Sequence, residues 1–225
     1  MGTAKRARLS VDERREQLVT LGGRIFSERP YDEVSIEGIA AAAGISKGLL
    51  YHYFPSKRDF YVAVVRHAAQ EMEDATLADP ALPAEERLVV GLDQYLDYVQ
   101  QHARGFAAVL GAGIGNDPEV TAVVEGVRGV MTDRILTALP PSADPGGEPT
   151  AAVRIAVRGW VGFAEAASLE WLAGDQVSRE ALRDLLIATL VAAVTAAAAS
   201  ADAGGSASSS SEQRRAAAGA AWAAR

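Results

Sequence analysis

Residues 35–54 read SIEGIAAAAGISKGLLYHYF, two short amphipathic runs on either side of Gly44. Each run opens on a serine, Ser35 and Ser46, whose side chain can accept a backbone N–H from the first helical turn. Gly44 supplies the backbone freedom that a tight reversal between two helices needs. At helical spacing Ile39, Ala40, Ile45, Leu50 and Phe54 fall on one side as core, leaving Ser46, Lys47, Gly48, Leu49, Tyr51, His52 and Tyr53 on or near an outer face. The spacing predicts a helix-turn-helix. Its outer residues are of the types that contact DNA: lysine brings charge, glycine lets the backbone come close, tyrosine hydroxyls donate to phosphate, and N–H groups at a helix start favour an anion. Tyr51, His52 and Tyr53 could equally be an aromatic cluster packed on a preceding helix, and at this point both readings stand.

Outward from this segment the chain reads as helices punctuated by proline and glycine, with no alternating β-branched runs, so the expected class is all-α. Ser10 with Glu13 forms a capping-box pattern that opens a first helix to about Ser27, with Leu18, Leu21, Ile25 and Phe26 as its buried stripe. Gly22 and Gly23 weaken that helix by about 1 kcal/mol each relative to alanine, and their expected use is close packing of a neighbour. Pro30 and Tyr31 break the chain. Pro55 interrupts again, and Ser56 with Asp59 starts a fourth helix expected to reach Ala78. Further helices are expected at 84–103, 106–110, 118–139, 150–173 and 178–200. Residues 140–149 read as an exposed loop and 201–225, mostly Ala, Ser and Gly, as a disordered tail. The organisation expected is a flexible arm at 1–9, a three-helix DNA-binding domain at 10–56, a connecting helix at 57–78, and a larger helical ligand-binding and dimerisation domain at 79–200.

The bulk numbers exclude several classes. With no cysteine there is no disulfide or thiolate metal site, and His52, His67 and His102 lie too far apart for a local ligand motif, so no metal or other cofactor is expected. Neither His67 nor His102 has a partner evident at helical spacing, and no role is assigned to them. Residues 1–8 lack the apolar stretch of a secretory signal, no membrane is expected among the partners, and the cytoplasm is the expected location. The net charge of −7 looks wrong for a nucleic-acid binder, but residues 1–60 carry +2 and the remainder −9. Lys5, Arg6 and Arg8 are as easily a solvated chain start as an arm in the minor groove.

SKGLLYHYFPSKRDFY, residues 46–61, matches the Ser-x-Gly-x-x-Tyr-x-(His/Tyr)-Phe-x-(Ser/Thr)-Lys pattern of the TetR family of transcriptional regulators, and the chain resembles that family over roughly residues 14–65. The resemblance implies that Lys47 and Gly48 approach base edges or the nearest phosphates in the major groove. It implies that Tyr51, His52 and Tyr53 hold the backbone, that Lys57 binds phosphate beside the fourth helix, and that Ser35 and Ile36 meet the opposite strand. Leu49 departs from relatives that carry a polar residue there, and can offer only apolar contact to a thymine methyl. Pro30 stands where a glycine is common.

Beyond residue 71 the likeness is one of helix number and order. Val153, Val157, Trp160, Ala164, Ala167 and Trp171, and Leu182, Leu185, Leu186, Thr189 and Val194, form two stripes that suit a helix pair. The family implies that this pair meets its copy across a two-fold axis, giving a homodimer on a pseudo-palindromic double-stranded operator. It also implies a pocket for a small hydrophobic or aromatic effector, with Tyr95, Tyr98, Phe106, Met131, Trp160, Phe163 and Glu165 as candidate lining, although aromatics at helical spacing are more often core. The expected function is a ligand-released repressor; an activator or corepressor-dependent regulator would carry the same motifs. An enzyme is disfavoured because no nucleophile elbow, phosphate loop or paired catalytic carboxylates occur, and a nonspecific architectural protein should be more basic.

Overall fold

The computed structural model describes residues 10–112, 117–139, 149–174 and 176–200. The expectations for the N-terminal arm, the loop at 140–148 and the tail at 201–225 lie outside the described residues. Within them every regular element is helical: α1 (Val11–Glu28), α2 (Ile36–Ala42), α3 (Lys47–Tyr53), α4 (Lys57–Ala75), α5 (Ala84–Gln101), α6 (Ala103–Ala107), α7 (Pro118–Ala138), α8 (Ala151–Ala173) and α9 (Arg179–Ser200). A 3₁₀ turn at Tyr31–Glu33 follows α1, and a π turn at Ala108–Ala112 follows α6, so the helix expected at 106–110 starts earlier and loosens where it was expected to be centred. α4 stops at Ala75, three residues short of expectation, where the Thr76 hydroxyl donates back to the Met72 carbonyl at 2.8 Å.

The helix starts are set by side-chain caps. Ser10 accepts from the Glu13 N–H at 3.1 Å while the Glu13 carboxylate accepts from the Ser10 N–H at 2.7 Å, a complete capping box. Ser35, Ser46 and Ser56 accept from the N–H groups of Gly38, Leu49 and Asp59. Gly44 has φ +64°, and the Ile45 N–H closes the turn on the Ala40 carbonyl at 3.0 Å. A side chain at 44 would be strained, which is why the reversal is made there.

The described residues group into two compact units, one holding the chain to Leu77 with Gln94–Val127, the other Ala78–Asp93 with the chain from Arg128. In the first, Leu18, Val19 and Phe26 of α1 pack with Ile36, Ile39, Ala40, Leu50 and Phe54 of the helix-turn-helix and with Phe60, Tyr61 and Val64 of α4. Phe26 meets Tyr61 edge-on at 4.8 Å and Phe54 meets Phe60 at 4.9 Å, geometries that suit the ring quadrupoles. A Cβ on Gly22 would come within 2.4 Å of Val64 Cγ2 and 2.7 Å of Phe60 Cζ, whereas one on Gly23 meets nothing within 4 Å. Only Gly22 serves close packing. Asp117 caps α7, accepting from the Glu119 N–H at 2.9 Å, and its carboxylate takes two hydrogen bonds from Arg58 at 2.6 and 2.8 Å. His67 does have a partner at helical spacing, Glu71 at 3.3 Å, and His102 stacks on Tyr98 at 4.2 Å.

In the second unit α8 and α9 form the expected helix pair. Val153, Val157, Trp160, Val161, Ala164 and Ser168 of α8 are buried, as are Leu182, Leu186, Leu190, Val194 and Ala197 of α9. The Trp160 indole donates to the Leu186 carbonyl at 3.0 Å and lies 3.1 Å from Thr189 Oγ1. α9 is long and apolar enough, by length and composition alone, to cross a membrane, with a mean hydropathy of 1.7.

Candidate nucleic-acid interface

α3 presents one face to the core and the other outward. Leu50 and the cap residue Phe54 are fully buried, while Ser46, Lys47, Gly48, Leu49, Tyr51 and His52 are exposed, Leu49 and Tyr51 at 40% and 41%. Leu49 and Tyr51 thus leave part of their apolar surface uncovered on this face. Gly48 has open space where a Cβ would stand.

Lys47 reaches from α3 to α2 and donates through Nζ to Glu37 Oε1. That bond lowers the Glu37 carboxyl and raises the Lys47 ammonium from their ordinary values. The same ammonium stands 5.8 Å from the centre of the Tyr51 ring, one turn along. His52 and Tyr53 meet edge-on at 5.5 Å. Lys57, at the start of α4, places Nζ 4.0 Å over the Tyr31 ring, a cation–π contact that holds it at the surface.

Two residues expected at DNA sit otherwise. Ile36 is in the core, 7% exposed, so its side chain is turned from any strand and only Ser35 beside it is outward. Tyr53 is half-buried against the core cluster, so the aromatic trio divides: Tyr51 and His52 face out, and Tyr53 belongs partly to the packing.

The seven candidate effector-lining residues do not behave as a group. Tyr95, Tyr98 and Phe106 lie in the first unit, where the Tyr98 hydroxyl donates to the Ala68 carbonyl at 2.9 Å and Tyr95 meets Phe106 edge-on at 6.3 Å. Burial, with Glu71 adding to it, pushes the Tyr98 phenol up to about 12. Met131, Trp160, Phe163 and Glu165 lie in the second. Trp160 is committed to α9, Phe163 is 41% exposed, and Glu165 accepts from Arg128 Nε and Nη2 at 3.0 and 2.7 Å. An open groove of about 620 Å³ runs elsewhere, along α1 and the end of α2, past charged residues such as Glu13, Arg14 and Arg24; its lining is that of a solvated surface.

Sequence reading missed Glu37, Tyr31 and Arg15. Arg15 puts its guanidinium 4.7 Å over the Phe54 ring. None of the three carries a periodic signal linking it to its partner, since each contact depends on how separate elements pack together.

Residues 20–64 match the family described as bacterial regulatory proteins, tetR family, and residues 84–193 the tetracyclin repressor-like C-terminal domain. A tetR-family transcriptional regulator from Streptomyces coelicolor, of known structure, is 35% identical over 85% of this chain and 84% of its own, with a TM-score of 0.74. The HTH-type transcriptional activator FasR of Mycolicibacterium smegmatis is 29% identical across 78% of this chain and 80% of FasR. The HTH-type transcriptional repressor DhaR of a Mycobacterium species is 34% identical over 33% of this chain and 39% of its own length.

Proposed function

The chain belongs to the TetR family of DNA-binding transcriptional regulators, and from that premise we propose that it works in the cytoplasm as a homodimer on a pseudo-palindromic operator, with α3 as the reading helix and a small apolar effector as its control. The observation that carries this is the outward face of α3: a lysine, an open glycine and two uncovered large side chains beside a fully buried Leu50. Ser46 to Leu49 would face base edges, Tyr51 and His52 would hold phosphate, and Ser35 and Lys57 would flank them. The domains carry separate tasks in this reading: 10–56 binds DNA, 57–78 connects, and 79–200 dimerises and senses.

Support for the dimer comes from the faces that the α8–α9 pair leaves uncovered. Ile155, Gly159 and Phe163 on α8 and Leu185, Ala188 and Val191 on α9 recur at spacings of three and four, all exposed. Uncovered faces of this kind suit pairing with a second copy of the chain, and a two-fold pairing sets two reading helices on one DNA.

Repression is the expected sign of control. A second reading, activation, draws on the likeness to FasR, an activator, which spans both parts of the chain, whereas the likeness to the repressor DhaR spans a third. A gel-shift on DNA flanking the protein's own gene, at two salt concentrations and with Lys47→Ala and Tyr53→Phe variants, tests the binding. Specific retardation lost in Lys47→Ala is the expected result; no specific shift in the wild type defeats the reading. A transcriptional reporter carrying the bound site gives the sign, falling output marking repression and rising output activation.

A further inference from the structure

Lys47, the one cation of α3, is engaged by an acid. Its ammonium donates to the Glu37 carboxylate across the helix-turn-helix, and both side chains are largely exposed, at 51% and 63%. An exposed pair of this kind adds little to folding stability. Its position is the informative part: the carboxylate lies beside the residues turned outward on α3, where a bound DNA would bring a dense row of phosphates. A lone carboxylate there would be repelled, and a lysine neutralised by it gains little from a phosphate. What the pair keeps is direction. The ammonium has two further N–H donors and the carboxylate has remaining acceptor sites, set side by side.

We propose that Glu37 is a specificity-determining residue of the DNA-binding surface, which holds Lys47 off the phosphates and forms with it a donor–acceptor unit reading a G·C base pair in the major groove. A G·C pair presents the guanine N7 and O6 acceptors next to the cytosine N4 amine, so that lysine donates to guanine while the carboxylate accepts from cytosine. At an A·T pair the adenine N6 amine stands where the lysine needs an acceptor, and the thymine O4, itself an acceptor, stands where the carboxylate needs a donor. The inference rests on α3 being the reading helix and adds the α2 residue that selects what it reads.

The test uses the full-length chain and duplexes recovered by it from a randomised pool of double-stranded DNA. Binding of wild type, Glu37→Gln, Glu37→Ala and Lys47→Ala is measured on the recovered duplex, on versions with each G·C pair exchanged for A·T, and on an unrelated duplex, over a range of salt. Thermal unfolding checks that each variant is folded. The expected result is that Glu37→Gln binds the unrelated duplex several-fold more tightly, with the slope of log affinity against log salt steeper by about one per subunit as Lys47 turns to phosphate. The preference for the recovered duplex should narrow by roughly tenfold, lost at a single G·C position in each half-site. If Glu37→Gln and Glu37→Ala are folded and match wild type on every duplex and at every salt while Lys47→Ala loses binding, the reading by α3 stands and the role of Glu37 is refuted. An equal weakening on all duplexes with no change of slope also refutes it, since that is the mark of a structural residue. If the wild type recovers no sequence from the pool, α3 as a reader fails, and this inference with it.

Discussion

At Gly48 helix propensity and the proposed function pull in opposite directions. A glycine inside a helix costs roughly 0.5–1 kcal/mol relative to alanine, and a Cβ at 48 would meet nothing within 4 Å. Gly48→Ala is therefore expected to raise stability by up to about 1 kcal/mol in a urea titration. The added methyl stands on the face offered to DNA, and if the backbone approaches the groove closely, affinity for a selected operator falls by roughly tenfold or more, the scale of a steric intrusion into a packed interface. Unaltered affinity in a stabilised variant would show that the backbone does not come close. Gly22→Ala should behave in the reverse way. Its methyl would press on Val64 and Phe60, with an expected loss of about 1–3 kcal/mol and DNA affinity unchanged in the fraction that remains folded. Gly22 and Gly23 are alike as letters, and the sequence assigned both to close packing. The difference lies in where α4 crosses α1, which no local pattern encodes. Ser35 and Ile36 make the same point: the cap was legible because its partner is three residues away, whereas the inward turn of Ile36 is fixed by α1 and α4.

The helices themselves were largely legible, because Ser10, Ser35, Ser46 and Ser56 each cap the start that the pattern placed there. What ties one helix to another was not. Lys57 and Arg58 open α4 as neighbouring cations, yet Lys57 lies over Tyr31 while Arg58 donates twice to Asp117 and once to Glu119, some sixty residues on. The first turn of α7 is thereby fastened to the first turn of α4. Asp117 is 7% exposed, and the Arg58 guanidinium, aided by the Val120 and Glu119 N–H groups, holds its carboxyl below the usual aspartate range. A folded-state value below the unfolded one means that the contribution is present above the ordinary aspartate value of about 3.9 and is lost as pH falls through the lower, folded value. Guanidinium-induced unfolding at a series of pH values from 7 to 3 should therefore find Asp117→Asn less stable than wild type at neutral pH, with the two curves converging as the wild type gives up this contribution in acid. A constant gap down to pH 3 would show that Asp117 stabilises through something other than its charge. Arg58→Met should reproduce the loss at pH 7, since it removes the other half of the same contact.

For the molecule as a whole, the proposed control depends on two copies acting together, since a single seven-residue reading helix contacts few base pairs. Of the stripes that the sequence marked on the paired helices, Leu185 is exposed and Ala167, Trp171 and Thr189 are only half-buried, whereas Val153, Val157, Trp160, Ala164, Leu182, Leu186 and Val194 are buried within one chain. They cannot also form a surface. α9 is apolar around most of its circumference, with its charges confined to Arg179, Glu180, Arg183 and Asp184 at the start, so periodicity could not say which stripe faces inward; burial leaves Leu185 and Val191 outside at 49% and 57%. Replacing both by glutamate should be tolerated by the fold, since exposed substitutions away from packing change stability by only about 0.5 kcal/mol. If these residues meet their copies, the paired charges would face one another in a desolvated seam, and the double variant should sediment as a monomer at micromolar concentration while the wild type is a dimer. Its affinity for one half-site should be retained, because α3 is untouched. Its affinity for the full operator should fall by about 10²- to 10⁴-fold, the advantage lost when two binding modules are no longer tethered. A double variant that remains dimeric with wild-type operator affinity would place the two-fold contact on another surface and remove the proposed route by which the body controls the reading helices.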